Sequence, residues 1–340
     1  MNLINYPGGG TDVFLIAKVN CLFARIWNNA GQWGNNIFFM ITGYFVINHA
    51  RKFKSLLKIW GTTCFYSVAF FIIMCKFMHI QQPDGSSYNF FTAMAPITHN
   101  TYWFITDYLF LMIIMPLIVK ALAELTLKQY RYMLLFLFFS ISVIPMVELI
   151  YGREILFSNG ADNFFNTPFF QCLFIVLIGG YISRDGNVRK VPIYFLWAML
   201  FIGLAAVCAY NIKLFEDGNA WMRIVNITQT FNLLVSLALF CLFLRINIGS
   251  VDLVNNVAKS VFGVYLIHEN PFIRILIWVK LFNNNDVFLR ECFVAYVFAE
   301  AIIVFLFCVV VDWLRRSTFN KIYEFTEPYI KKWIRCIGVK

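Results

Sequence analysis

Apolar residues in this chain gather into long blocks separated by short polar breaks. The blocks cover residues 33 to 49, 57 to 78, 102 to 121, 132 to 151, 164 to 183, 191 to 211, 225 to 245, 260 to 282 and 291 to 314. Each runs about 17 to 25 residues, the length a helix needs to cross a hydrocarbon core about 30 Å thick. A membrane β-strand would alternate apolar and polar residues over about ten positions, and these blocks do not alternate. Backbone groups in lipid must be satisfied inside their own segment, so the pattern predicts an all-α polytopic membrane bundle of about nine transmembrane helices. Composition agrees with it. Of the 340 residues, 60% are hydrophobic and 14% charged, and the mean hydropathy is +0.69, which leaves too little polar surface to cover a soluble globule. The 39 phenylalanines serve as lipid-facing and core filler. The expected organisation is an extracytoplasmic segment over 1–32, a membrane domain over 33–314 and a basic cytoplasmic tail over 315–340. Tyr323, Phe325, Tyr329 and Trp333 in that tail suit an amphipathic helix lying at the membrane interface.

Charge placement sets the orientation, because short loops rich in Lys and Arg stay cytoplasmic. After the odd-numbered blocks come Arg51, Lys52, Lys54 and Lys58, then Lys120, Lys128 and Arg131, then Arg184, Arg189 and Lys190, then Arg245 and Lys259. The tail adds Arg315, Arg316, Lys321, Lys331, Lys332, Arg335 and Lys340. The opposite side carries few, and the loop from 79 to 101 carries none. The C-terminus is therefore expected in the cytoplasm and the N-terminus outside. Met1 to Gly10 is polar and glycine-rich rather than a signal peptide, so an outside N-terminus predicts that a helix preceding this chain is missing. The net charge of +10 reads as a topology determinant and an attraction to anionic cytoplasmic lipid; no basic cluster with interleaved exposed aromatics marks a nucleic-acid surface.

The nine cysteines are scattered, with no CxxC and no Cys/His ligand spacing, so they are expected as free apolar-like thiols and no metal is expected. No phosphate-binding glycine loop, GxSxG or HExxH occurs.

Three local patterns say more than hydropathy does. They are GQWGNNIFFMITGYFV over 31–46, TYWFITDYLFLMIIMPLI over 101–118 and SVFGVYLIHENPF over 260–272. In order and spacing they resemble the landmarks of the acyltransferase-3 family of integral membrane acyltransferases: an FFxxSG[YF] helix, a WF-led helix ending in proline, and a late FxxYLIHxP helix. The resemblance covers about residues 30 to 320. One extra residue separates His268 from Pro271, and Thr42 stands where serine is usual, keeping the hydroxyl. The resemblance implies a core of ten helices, a cytoplasmic acyl-CoA donor, acetyl-CoA being the donor expected, and an acceptor hydroxyl on a cell-surface polysaccharide or its lipid-linked precursor. The setting it implies is a bacterial cytoplasmic (inner) membrane. It also implies a first helix carrying an Arg and, about ten residues later, a His that acts in transfer. The segment TDVFLIAKVNCLFARIW over 11–27 holds Lys18 and Arg25 but no His. That departure is a second reason to expect a missing first helix, through a start upstream of Met1 or a truncated, inactive gene.

Moving an acyl group from a thioester to a hydroxyl needs a base for the hydroxyl proton, and histidine is the usual one near neutral pH. His268 is the catalytic candidate, mid-block with Tyr265 and Phe272 on its face and Glu269 beside it; an ionisable group at that depth is functional by default. The competing reading is a histidine hydrogen-bonded to a neighbouring helix. Pro271 should open the helix locally and free a carbonyl. Arg274 is expected to bind an anionic group, to pair with Glu269 or to snorkel. Asp107, one turn inside the WF pattern, stands where the acceptor would arrive or is an interfacial carboxylate. Trp103 stacks on a sugar or sits in the aromatic belt. Tyr265, Glu269, Arg274, Trp103, Asp107 and Thr42 together form the expected substrate-binding set. Glu300, Gln171, Gln229 and Asn232 read as interhelical partners, and Gly43 as a close helix contact. Among the histidines near block ends, His49, His79 and His99, only His99 is a candidate. The rival class is a polysaccharide flippase or polymerase, which should show two-fold repeats or a large outer loop.

Overall fold

Within the described residues the apolar blocks are largely helical. In a computed structural model the structure describes residues 11–47, 53–77, 89–151, 167–216, 230–247 and 249–336, and His49, His79 and Gln229 lie outside them. The elements are α1 (Thr11–Val46), α2 (Phe53–Ile72, extended by a π turn over Ile73–Phe77), α3 (Phe90–Met94), α4 (Trp103–Ala123), α5 (Leu127–Phe138), α6 (Ile144–Tyr151), α7 (Pro168–Arg184), α8 (Ile193–Glu216) and α9 (Thr230–Phe243). After them come α10 (Asp252–Ala258), α11 (Val261–His268), α12 (Pro271–Ile275), α13 (Asn284–Val287) and α14 (Phe293–Cys336). Among the described residues there is no β-strand.

Among the described residues five stretches are long and apolar enough to cross a membrane: Lys54–Cys75, Trp103–Ala123, Leu127–Val147, Ile193–Lys213 and Phe293–Phe319. Their outward side chains suit lipid. Leu117, Phe136, Phe201, Ile202 and Phe307 are all exposed, an arrangement that would invite aggregation in water. Two shorter apolar helices, Pro168–Arg184 and Thr230–Phe243, match the fifth and seventh predicted blocks. The eighth block is not one helix but α11 and α12, broken between them. The tail departs from a separate element too, since the α14 helix continues unbroken to Cys336.

The largest difference lies at the start. The first helix begins at Thr11 rather than at residue 33, and its 36 residues make it about 54 Å long. Hydropathy hid its first half because Lys18, Asn20, Arg25, Asn28, Asn29 and Gln32 dilute the apolar residues. Tertiary partners satisfy several of these groups. The Asn20 amide donates to the carbonyls of Phe288 and Arg290 at 2.7 and 2.9 Å, and Arg25 donates to Asn211 at 3.5 Å. Further along, the Trp33 indole donates to Asn232 at 2.9 Å and the Asn36 amide to Ser236 at 3.0 Å.

The helices sort into two compact units. The first comprises Met1–Gly61, Trp103–Asn247 and Phe288–Glu291; the second comprises Thr62–Tyr102, Ile248–Val287 and Cys292–Lys340. In the first unit α1 and α7 cross at backbone contact. A Cβ added at Gly43 would lie 1.9 Å from the Val176 carbonyl oxygen, and one at Gly179 would lie 2.1 Å from that of Met40. Small residues let membrane helices approach this closely, so the structural reading of Gly43 holds. Asn232, wholly buried, takes the Trp33 bond, the interhelical role expected of it.

Helix ends in this unit are closed by side chains. Thr126 and Gln129 form a capping box at the start of α5, with bonds of 2.9 and 3.3 Å, which satisfies two orphan donors reciprocally. The Tyr130 hydroxyl donates to the Leu177 carbonyl at 2.8 Å. Arg184 donates to the carbonyls of Leu122 and Leu125, the last acceptors of α4 and its turn.

Asp185, buried just past α7, accepts from the Tyr181 hydroxyl at 2.8 Å and the Asn187 amide at 3.1 Å, with Arg131 at 3.7 Å. The Tyr181 hydrogen bond, helped by Asn187 and Arg131 and opposed by burial, holds its carboxyl below the ordinary carboxylate value. A depressed carboxyl contributes stability that is present above the unfolded value of about 4 and is lost as pH falls through the folded one. Asp185→Asn should therefore lower the thermal midpoint in detergent at pH 7, and the gap to wild type should shrink below about pH 4. A gap equal at pH 7 and pH 3 would refute this linkage.

Candidate active site

The second unit contains the break that the sequence around Pro271 foreshadows. α11 ends at His268, Glu269 caps it with φ −88° and ψ −2°, and Asn270 turns to an extended conformation with φ −60° and ψ 133°. Asn270 then caps α12 with Pro271 at its first turn, its side-chain oxygen accepting from the Phe272 amide at 3.2 Å. Both choices have a physical reason. Proline lacks the amide that a continuous helix would use, and asparagine supplies the capping oxygen.

Breaking a helix frees backbone groups, and a side chain meets one of them here. The Leu266 carbonyl accepts from the Tyr102 hydroxyl at 3.3 Å, and that hydroxyl accepts from the Asn270 amide at 2.9 Å. Tyr102 is 1% exposed and Asn270 0%, so the bridge is built inside the unit and holds the break open. Sequence reasoning missed both residues. The available signal was an asparagine directly before a proline late in an apolar block, which is a helix-start signature.

At the break His268 points its Nδ1 at the Val264 carbonyl oxygen, 2.7 Å away. A carbonyl only accepts, so Nδ1 carries the hydrogen and Nε2 of the neutral ring holds the lone pair. Nε2 lies 3.6 Å from a Glu269 carboxylate oxygen, and the other Glu269 oxygen lies 3.6 Å from the Arg274 guanidinium. The His268 and Glu269 side chains are 28% and 33% exposed, neither sealed in the core nor fully solvated. Tyr265 stands edge-on to the His268 ring at 6.1 Å, with Tyr102 6.2 Å beyond it. The structure thus brings together Tyr265, His268, Glu269 and Arg274. The histidine's bond is to its own helix rather than to a neighbour.

The grouping can do defined chemistry. A base whose Nδ1 is anchored presents Nε2 in a fixed direction. A proton taken at Nε2 creates an imidazolium beside the Glu269 carboxylate, which stabilises it.

Thr42, Trp103 and Asp107 belong to the first unit. Thr42 is 5% exposed on α1. Trp103 begins α4 with its ring edge-on to Phe104, while Phe104 itself is buried against Phe38 and Phe39. Asp107, one turn on, keeps one carboxylate oxygen buried with no hydrogen-bond partner among the described residues. Back in the second unit, Glu300 is 2% exposed and accepts from Asn284 at 3.1 Å, and His99 is exposed. Among the described residues the cysteines are free thiols, with Cys172, Cys241 and Cys308 buried, and no group of three or more His, Cys, Asp or Glu could hold a metal ion.

A family model of the acyltransferase domain, acyltransferase family 3, matches residues 3–313. The chain belongs to the acyltransferase-3 family. It is thus a multi-pass membrane protein of an acyltransferase family, and the match includes α1 from its first residue as well as the broken α11–α12 helix. Neither a curated protein nor a solved structure matches the chain.

Proposed function

We propose that this acyltransferase-3 protein moves an acyl group, acetyl in the simplest case, from acyl-CoA to a hydroxyl of a cell-surface polysaccharide or its lipid-linked precursor, with His268 as the base. The observation that carries the reading is the His268 ring at the helix break. Its Nδ1 is committed to the Val264 carbonyl and its Nε2 faces Glu269. In the proposed step Nε2 takes the hydroxyl proton as the hydroxyl oxygen bonds the acyl carbon. The carbon–sulfur bond then breaks, and the proton passes to the departing thiolate to give free CoA. Tyr265 and Arg274, beside His268, are assigned to substrate binding; Trp103, Asp107 and Thr42, in the first unit, are assigned a substrate-binding role of their own.

The Lys and Arg bias supports a cytoplasmic C-terminus; a donor reached from the cytoplasm and residence in a bacterial cytoplasmic membrane are what the family resemblance implies. The test is direct. The full chain is reconstituted in proteoliposomes, supplied with radiolabelled acetyl-CoA and a bacterial surface polysaccharide, and followed for label in the polysaccharide and for free CoA. Label in the polysaccharide with matching CoA release is expected. No transfer of acetyl or longer acyl groups to any polysaccharide tried, by well-inserted protein, would reject the reading.

A further inference from the structure

At the other end of α11 the second unit carries a second polar cluster. Asp312 on α14 is 0% exposed, and a buried carboxylate is retained only if it is fully paired. One of its oxygens accepts from the Tyr66 hydroxyl at 2.8 Å and from Arg315 at 2.9 and 3.0 Å; the other accepts from Arg316 at 2.9 Å. Arg315 is also fixed over the Tyr66 ring at 5.4 Å and beside the Phe319 ring at 5.9 Å. These bonds tie α2 to α14.

Two contacts carry the cluster into α11. Arg316 reaches past Asp312 and donates to the Ser260 hydroxyl at 2.6 Å, and the Ser260 carbonyl accepts the Val264 amide at 2.9 Å, opening the helix. Gly263, one turn on, lies against Asp312 so closely that an added Cβ would sit 2.1 Å from its carboxylate oxygen. The first contact sets the height of α11 and the second its rotation. α11 has only 8 residues, about 12 Å of helix, and His268 is its last. Tyr102 clasps the far end through Leu266.

We propose that Asp312, Arg316 and Ser260 are positioning residues for His268: the ion cluster fixes the start of α11 and thereby aims the imidazole at its end. The proposal rests on the reading of His268 as the base. A short, rigid helix passes a shift at one end to the other, and a misplacement of about 1 Å at a reacting group costs about 100-fold in rate.

The experiment uses the full chain in detergent and reads His268 directly. Diethylpyrocarbonate modifies histidine, and peptide mass spectrometry gives the rate at His268 relative to exposed His99 within each molecule. Ser260→Ala removes only the Arg316 link and keeps the Asp312 pairs. It is expected to change the His268/His99 ratio by about threefold, and to lower kcat about tenfold with KM for acyl-CoA unchanged. Ser260→Thr, which keeps the hydroxyl, should restore both. Asp312→Asn should produce the larger change in the ratio. A loss of stability alone would not alter the ratio in the folded fraction. Should Asp312→Asn fail to fold, Ser260→Ala decides. A folded Ser260→Ala protein with the wild-type ratio overturns the proposal. A wild-type protein that transfers no acyl group, but whose His268 ratio still follows Ser260, upholds the positioning and rejects the reaction instead.

Discussion

Replacing His268 by glutamine is expected to lower acyl transfer about 10²–10⁴-fold, the usual contribution of a positioned general base, with the amount of membrane-inserted protein unchanged. Glutamine is the informative substitute. Its carboxamide nitrogen can still donate to the Val264 carbonyl, which His268 meets at 2.7 Å, so the end of α11 keeps its bond. What disappears is the lone pair that takes the proton. Single-turnover CoA release and label transfer should fall together, since one proton transfer serves both. Glu269→Gln should cost less, because it removes only the charge 3.6 Å from Nε2 that stabilises the imidazolium. If His268→Gln retains wild-type transfer, the base lies elsewhere and the break is structural.

The second large effect is on folding. Gly43→Ala should destabilise the protein by about 3 kcal/mol, at the upper end of ordinary overpacking. The obstruction is backbone: the new Cβ would lie 1.9 Å from the Val176 carbonyl oxygen, and no side-chain rotation relieves that. Gly179→Ala meets the Met40 carbonyl in the same crossing and should behave alike. Gly34→Ala on the same helix is the control, because nothing lies within 4 Å of its added Cβ. There alanine should be neutral or stabilising by up to about 1 kcal/mol through helix propensity. Thermal unfolding followed by size-exclusion profile would check the series. A Gly43→Ala protein as stable as Gly34→Ala would mean that the α1–α7 crossing is not a close one.

Parts of the candidate site were legible in the sequence. Pro271 inside an apolar block announced a break, which the structure shows between α11 and α12, and His268 beside Glu269 at membrane depth marked the candidate base, because each carries a local cost that a sequence shows directly. Tyr102 was legible only as an aromatic near a helix start, since its value comes from bonds to Leu266 and Asn270 more than 160 residues away. Arg315 and Arg316 read as topology charges at the end of the last span. That they close on a buried aspartate three and four residues earlier, and that Arg316 also reaches Ser260 at the start of another helix, is a property of packing.

The sequence by itself determined the class of molecule, an all-helical membrane bundle, and its family, because apolar block length and three ordered motifs are local quantities. It did not determine where the first helix begins. α1 reaches back to Thr11 because distant groups, the Phe288 and Arg290 carbonyls, Asn211 and Asn232, take up the polar side chains that lower its hydropathy. Nor did it show which charged residues hold α11 in place. Those outcomes belong to tertiary structure for one reason: a buried polar group is tolerated only when its partner arrives, and its partner is usually far away along the chain.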